Sequence, residues 1–181
     1  MKTTLFLLLI LGLTAANGLC EERVWTIAKH LEVAGQQDGK TMAATQGEWY
    51  RFIQHDAGLT SSTIVLIATD GTNVTLNAAS VSLHDYYGSD GKSGVERNRK
   101  SLSADQWRAL KDQLAKLDFW HYQAKPIIGL DGSTWILEGA KDGVYRRIEE
   151  WSPDPGKFRE PCLSMWRASG LFMGMYEKLT R

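Results

Sequence analysis

Two pairs of apolar, β-type runs, each pair separated by Asp-Gly, constrain this chain more than any other feature. The first pair flanks Asp70-Gly71 within residues 62–77, and the second flanks Asp142-Gly143 within residues 133–151. Asp-Gly between runs of this kind is typical of a tight hairpin turn. The sequence therefore predicts two Asp-Gly hairpins, each made of adjacent antiparallel strands.

A two-residue loop at Asp70-Gly71 would fix the register of the first hairpin. It pairs Ile67 with Val74 and Val65 with Leu76. Both pairs lie on one face, because side chains alternate between the two faces of a strand. That face is predicted to line the core.

The same loop length at Asp142-Gly143 sets Leu137 against Ile148 and Glu138 against Arg147. An apolar pair on one face and a pair of opposite charge on the other are mutually consistent, which supports this register. The second face of the hairpin is therefore predicted to be polar.

Helical patterns occur in three places. Residues 103–106 read as a capping box, and the apolar residues from Trp107 to Leu117 then recur at helical spacing. Glu160-Pro161 opens a second helix, since proline is tolerated in a first turn. A shorter pattern ends at Gly35, and the polar segment from Gln36 to Gln46 is predicted to be a loop.

Further strands are predicted from Trp49 to Gln54 and from Val95 to Lys100. Strands joined by short turns, with helices gathered in blocks, are typical of an α+β fold. We expect an antiparallel sheet of about five to six strands, packed by two to three helices.

The start of the chain has the pattern of a secretory signal. Lys2 precedes an uncharged apolar run from Leu5 to Leu13, and small residues follow up to Gly18. A membrane-spanning helix needs about 20 apolar residues, so a cleaved signal peptide (1–18) is favoured over an anchor. Residues 19–181 are then predicted to form a single globular domain that is exported, either to the periplasm or to the medium.

Cys20 and Cys162 are the only cysteines. An even number of cysteines in an exported protein favours a disulfide between them. The alternative is lipid attachment to Cys20, but lipoprotein signals place a small residue before that cysteine, and here it is Leu19. The disulfide is therefore the favoured interpretation.

Composition argues against several functional classes. The chain has 21 basic and 21 acidic side chains, for a formal net charge of zero. This balance disfavours a nucleic-acid partner, which needs a basic surface. No second apolar run is long enough to span a bilayer. No cofactor is predicted, and residues 86–93 lack the first glycine of a phosphate-binding loop because Tyr86 stands there.

The four histidines are scattered and have no zinc-site spacing, so no metal is predicted. His55-Asp56 and His84-Asp85 are adjacent acid–base pairs in sequence. A catalytic role would require other groups to converge on them in the fold. A strand-end or loop position is the more ordinary interpretation of each.

The second hairpin carries the best candidate site. Its residues are Glu138, Tyr145, Arg147, Glu149 and Trp151. Two carboxylates beside aromatic rings are compatible with a lattice of ion pairs, with a binding surface, or with a glycosidase pair. We rank them in that order, since Arg147 opposite Glu138 keeps that carboxylate ionised and occupied.

The same region carries a resemblance. Residues 129–139 read Gly-Leu-Asp-Gly-Ser-x-Trp-x-Leu-Glu-Gly, and Trp-Ser-Pro follows at 151–153. The stretch from Trp107 to Pro153 resembles a group of small exported bacterial proteins of unknown function with this signature. The resemblance implies export and a bacterial source, and it implies no mechanism. Proteins of this group often carry histidine where Arg146 stands here, so a proton-transfer role does not carry over.

Two functional hypotheses follow. The first is a non-enzymatic binding protein of the cell envelope, whose partner is an envelope protein or a polysaccharide. The alternative is a hydrolase of envelope or extracellular polymers, which would use Glu138 or Glu149 with a histidine. The sequence leaves enzymatic activity undecided and favours the first hypothesis.

Overall fold

The structure is a computed structural model. It describes residues 26–45, 47–56, 61–83, 94–125 and 132–171. Four features predicted from sequence lie outside these ranges: the signal peptide (1–18), Cys20, the His84-Asp85 pair and the segment 86–93.

In the described part of the chain, six strands form one antiparallel sheet. They are β1 (Trp49–Asp56), β2 (Ser61–Thr69), β3 (Val74–Ser82), β4 (Val95–Leu102), β5 (Ser133–Lys141) and β6 (Val144–Trp151). The strand order is β4-β3-β2-β1-β5-β6, and all neighbours are antiparallel. The predicted α+β class is confirmed.

The described ranges contain four helices, more than the two to three predicted. They are α1 (26–33), α2 (Gly39–Thr45), α3 (Ala104–Leu117) and α4 (Arg159–Ser169). No helix among these residues is both long and apolar enough to cross a membrane.

The prediction of a loop from Gln36 to Gln46 was wrong, because α2 lies inside this segment. The Asp38 carboxylate accepts hydrogen bonds from the backbone N–H groups of Lys40 and Thr41, both at 3.0 Å. These bonds cap the start of the helix, and they lower the pKa of Asp38, with the Thr41 hydroxyl contributing most. A seven-residue helix leaves too short a periodic pattern to recognise in sequence.

The capping box at the start of α3 is confirmed. The Ser103 hydroxyl accepts from the backbone N–H of Gln106, and the Gln106 side chain accepts from the backbone N–H of Ser103. The helix buries the apolar stripe predicted from its spacing. The buried residues are Trp107, Leu110, Leu114 and Leu117.

The sheet is covered on both faces. β1 and β2 are buried along nearly their whole length, which requires cover on each side. Helices α3 and α4 pack on one face, where Phe52 and Leu137 lie in the largest apolar cluster. Residues of α1 pack against Ile53 and Ile136 on the other face, and α2 packs beside them.

The register predicted for the first hairpin was wrong. Ile67 pairs with Leu76 instead of Val74, and Thr69 is the residue opposite Val74. The connection is longer than two residues because the Asp70 carboxylate accepts from the N–H groups that follow at positions 72 and 73, at 2.9 and 2.7 Å. The slip is two residues, so the same side chains still face the core.

In the second strand pair, Leu137 lies opposite Ile148 and Glu138 opposite Arg147, which is the register that the sequence predicts. The chain passes from β5 to β6 through Asp142-Gly143, whose φ angles are 52° and 77°. Positive φ at both central positions matches the twist of a two-residue connection.

The Cys162 thiol is free and buried in the structure, and it donates to the backbone oxygen of Phe158 at 3.3 Å. Burial raises its pKa well above the ordinary value, and the nearby Glu150 carboxylate adds to this shift. The predicted disulfide to Cys20 therefore has no support here, and Cys20 lies outside the described residues.

Candidate functional site

The α1/α2 face of the sheet carries one row of side chains that crosses all six strands. Arg99 (β4), Asn77 (β3), Leu66 (β2), Arg51 (β1), Glu138 (β5) and Arg147 (β6) are successive cross-strand partners. The row has an ion-pair lattice at its β6 end and a polar cleft at its β4 end. The candidate residues from sequence lie at the β6 end.

Glu138 is the centre of the lattice and is 2% exposed. Its Oε2 accepts from Arg51 Nε at 2.7 Å, and its Oε1 accepts from the Tyr145 hydroxyl at 2.6 Å. Arg147 Nη1 lies 3.6 Å from Oε1. Both carboxylate oxygens are therefore engaged by groups of the protein itself.

Arg51 is a site residue that sequence reasoning missed. It is fully buried, and its Nη1 donates to the backbone oxygen of Gln37 at 2.6 Å. Its guanidinium carbon lies 5.8 Å from the ring centroid of Trp49. Arg51 is thus held by the sheet below and by the segment that leads into α2 above. Its carboxylate partner is 87 residues away in sequence, so no local pattern reveals the pair.

The Tyr145 hydroxyl is held as a neutral donor. Burial raises its pKa, and the negative charge of Glu138 raises it further. The first residue of α2 packs against this ring: a Cβ atom added at Gly39 would lie 2.6 Å from Tyr145 Cε2. α2 therefore fixes the position of the hydroxyl group above Glu138.

Arg147 and Glu149 form the outer part of the lattice. Arg147 Nη2 donates to Glu149 Oε2 at 2.8 Å, and the two side chains are 36% and 39% exposed. Trp151 lies on the same face near the end of β6, but it is buried at 9% exposed. A Cβ atom at Gly132 would lie 3.2 Å from its indole nitrogen, so Trp151 packs beside the start of β5.

Of the two histidine–aspartate pairs suggested by sequence, the structure describes His55-Asp56, and these two side chains do not lie together. His55 and Asp56 are consecutive strand residues and point to opposite faces. The ring of His55 instead lies 5.3 Å from the ring of His30 on α1, edge to face. His121 lies on the surface, 2.9 Å from the carboxylate of Asp118. Within the described ranges, no three histidine, cysteine or acidic residues are placed to hold a metal ion.

A second polar cavity, of about 240 Å³, lies beside the end of β6. The buried Glu150 carboxylate accepts from the Tyr122 hydroxyl there at 2.7 Å. Burial and this carboxylate raise the pKa of Tyr122 to about 12. This hydrogen bond fixes the segment that follows α3 against β6. The polar atoms of Tyr122 and Glu150 are therefore already engaged with each other.

The cleft at the β4 end of the row has a volume of about 630 Å³. It lies between the connection from α1 to α2 and the strands β2, β3 and β4. Its lining residues are Ala34, Gly35, Gln36, Gln37, Met42, Leu66, Asn77, Ala78, Ala79, Arg97, Asn98 and Arg99.

The described lining of the cleft offers few kinds of functional group. The described residues that line it contribute two guanidinium groups and three side-chain amides, with no carboxylate, imidazole, thiol or hydroxyl group. The side chain of Asn98 points to the opposite face, where it donates to the backbone oxygen of Ser169 at 2.6 Å. Arg97 lies opposite Ala79 and Arg99 opposite Asn77. Arg97 Nη2 donates to the backbone oxygen of Val33 at 2.7 Å, which holds its guanidinium beside the cleft. Sequence reasoning identified β4 as a strand but did not identify these arginines as site residues.

No family model, curated protein or solved structure matches this chain.

Proposed function

We propose that this protein is a non-enzymatic binding protein of the cell envelope and that the cleft beside β4 is its binding site. The observation that carries the proposal is the lining of the cleft. The described lining residues supply guanidinium and amide groups, which make directed hydrogen bonds, and none of them carries a group that exchanges protons near neutral pH.

General acid–base catalysis needs a side chain whose pKa lies near the working pH. Arginine stays protonated under all such conditions, and side-chain amides do not titrate. Nucleophilic catalysis needs an activated hydroxyl, thiol, amine or carboxylate. The described lining of the cleft offers none of these, so its chemistry favours recognition.

The lattice around Glu138 adds support from the other end of the row. A glycosidase needs two carboxyl groups on either side of a space for substrate. Glu138 is instead buried against Arg51, and Glu149 is bound to Arg147. Neither acidic residue lines the 630 Å³ cleft or the 240 Å³ cavity. These contacts favour the salt-bridge interpretation over the hydrolase alternative.

The proposed location rests on residues 1–18, whose pattern is that of a signal peptide. Amino-terminal sequencing of protein recovered from the envelope or the medium tests it. We expect the mature chain to begin near Leu19. A chain that begins at Met1, or that is recovered only from the cytosol, contradicts the proposed location.

Site-specific photo-crosslinking tests the binding function. A photoreactive residue placed at Gln37, which is exposed and lines the cleft, should yield one discrete crosslinked product in the native envelope. The same residue placed at Lys116, exposed on α3 across the sheet, is the matched control.

The product should be lost when Arg99→Ala is combined with the Gln37 probe, while the fold is kept. Equal crosslinking from both positions, or a product that Arg99→Ala does not reduce, would contradict a binding role for the cleft. Release of soluble fragments from a purified envelope polymer by the wild-type protein would contradict the non-enzymatic proposal.

A further inference from the structure

The strand that borders the cleft is at one end of the sheet. In the order β4-β3-β2-β1-β5-β6 of the six described strands, β4 comes first and has β3 as its one neighbour. Arg97 and Arg99 are exposed on the cleft side of β4 and are separated by one residue. Lys100 extends from the opposite face of the same strand and is also exposed.

We propose that the cleft binds an extended acidic peptide segment that lies along β4 and places two carboxylates, two residues apart, against Arg97 and Arg99. This inference rests on the proposed binding function and names the chemical class of its ligand.

The spacing of the two arginines is the first argument. Alternate residues of a strand point to the same face and repeat at about 6.5–7 Å. An extended peptide beside β4 has the same repeat, so every second side chain of the peptide would face an arginine of β4. Acidic residues at positions i and i+2 therefore match Arg97 and Arg99, whereas adjacent acidic residues would point to opposite faces.

The charge of the cleft is the second argument. Its described lining contains two guanidinium groups and no carboxylate, so none of these residues supplies a counter-charge within the cleft. A guanidinium group presents a planar fork of N–H donors that fits a carboxylate. Arg97 uses one donor on the Val33 backbone oxygen, which leaves its other donors for a ligand.

The open strand and the amide side chains are the third argument. A terminal strand presents backbone N–H and C=O groups that can pair with an added strand. Gln36, Gln37 and Asn77 line the cleft with side-chain amides, and each amide both donates and accepts hydrogen bonds, as a peptide backbone does. None of the described residues that line the cleft supplies an aromatic ring to stack on a sugar, which favours a peptide over a polysaccharide.

The test uses fluorescence anisotropy of two labelled synthetic peptides on the full-length mature protein. Both contain two glutamates in a threonine- and valine-rich segment of equal composition. In one peptide the glutamates are at positions i and i+2, and in the other they are adjacent. We expect the alternating peptide to bind roughly tenfold or more tightly than its isomer, since only the alternating peptide can present a carboxylate to both arginines at once.

Arg99→Ala should weaken binding of the alternating peptide by roughly tenfold or more. Lys100→Ala is the matched control, because it removes one positive charge from the same strand on the opposite face, and it should change affinity less than about twofold. Circular dichroism and the Tm of both variants establish that they fold. Bound peptide should also slow amide hydrogen exchange along residues 95–102.

Equal affinity for the two isomers, or an equal loss in Arg99→Ala and Lys100→Ala, would overturn the inference, since it would show attraction by net charge alone. Binding of a polyuronate without binding of either peptide would overturn it as well. If neither peptide binds, but the probe at Gln37 still forms a crosslinked product that Arg99→Ala abolishes, the proposed ligand class is wrong and the binding function stands. If neither peptide binds and the probe at Gln37 gives no specific product, the proposed binding function is wrong as well. The charges of β4 would then serve only to prevent edge-to-edge association.

Discussion

Arg51 and Glu138 are directly opposite residues on β1 and β5, and they form an ion pair in the interior of the protein. The Nη2–Oε2 distance is 2.5 Å, and the side chains are 0% and 2% exposed. A buried pair of charges is stable only when both members stay engaged, because an unpaired charge retains its full desolvation cost. Loss of either partner should therefore destabilise the folded state.

Glu138→Gln should lower the free energy of unfolding by about 3–5 kcal/mol, because it leaves the Arg51 guanidinium buried without a counter-charge. The double variant Arg51→Met/Glu138→Met should recover most of this loss, since it removes both charges and fills similar volume. Urea denaturation of the single and double variants measures both effects. A double variant no more stable than Glu138→Gln would contradict the ion-pair interpretation.

Tyr145→Phe should lower the free energy of unfolding by about 1.5–3 kcal/mol, because the mutation removes a hydrogen bond to the buried Glu138 carboxylate. In the Glu138→Gln background the same change should cost less, since the acceptor is then neutral. A double-mutant cycle in urea gives the coupling between the two residues. Strict additivity would show that Tyr145 acts through packing alone.

Asp56→Asn should stabilise the protein at neutral pH. Burial raises the pKa of Asp56 in the folded state, so folding favours the protonated carboxyl and the charged form is penalised. Wild-type stability attributable to this group is highest below the unfolded pKa of about 3.9, and it falls as the pH rises through the higher folded pKa. The gain from Asp56→Asn should therefore be present at pH 7 and absent near pH 3.

Urea denaturation at several pH values measures this dependence. Asp112→Asn, at an exposed position of α3, makes the same change of charge and serves as the control. A gain for Asp56→Asn that does not vary with pH would show that the effect is not linked to titration of this carboxyl group.

Gly139→Ala should destabilise the protein by about 1–3 kcal/mol through overpacking. A Cβ atom at this position would lie 2.6 Å from Tyr50 Cδ1 and 3.1 Å from Phe119 Cε1. Tyr50→Leu should reduce the cost of the added methyl group, since it removes the nearer ring. Thermal denaturation of the four combinations checks this, and a cost independent of Tyr50 would contradict the steric explanation.

Cys162 should resist thiol reagents in the folded protein, because its thiol is buried and its pKa is raised. Unfolding without reductant should expose it to alkylation by iodoacetamide. Peptide mapping by mass spectrometry then identifies the modified residue. A disulfide-linked peptide that joins Cys20 to Cys162 would contradict this expectation and would restore the cross-link predicted from sequence.

Local patterns predicted a substantial part of the fold. The capping box at Ser103 and the apolar stripe of α3 follow from the 3.6-residue helical period. The pairing of Leu137 with Ile148 follows from the two-residue alternation of strands. The predicted register of the first strand pair was wrong because the Asp70 side chain organises a longer turn. Side-chain hydrogen bonds of this kind cannot be recognised from a pattern of apolar residues.

The sequence by itself determined the class of the fold and the face on which Glu138, Tyr145, Arg147 and Glu149 lie, since both depend on short-range periodicity and on turn residues. Only the tertiary structure placed Arg51 against Glu138 and brought Arg97 and Arg99 beside the connection from α1 to α2. These arrangements require β1 to pair with β5 and α2 to lie over the sheet. Such long-range pairing is decided by the packing of the whole sheet, because residues 87 positions apart share no local pattern that specifies their contact.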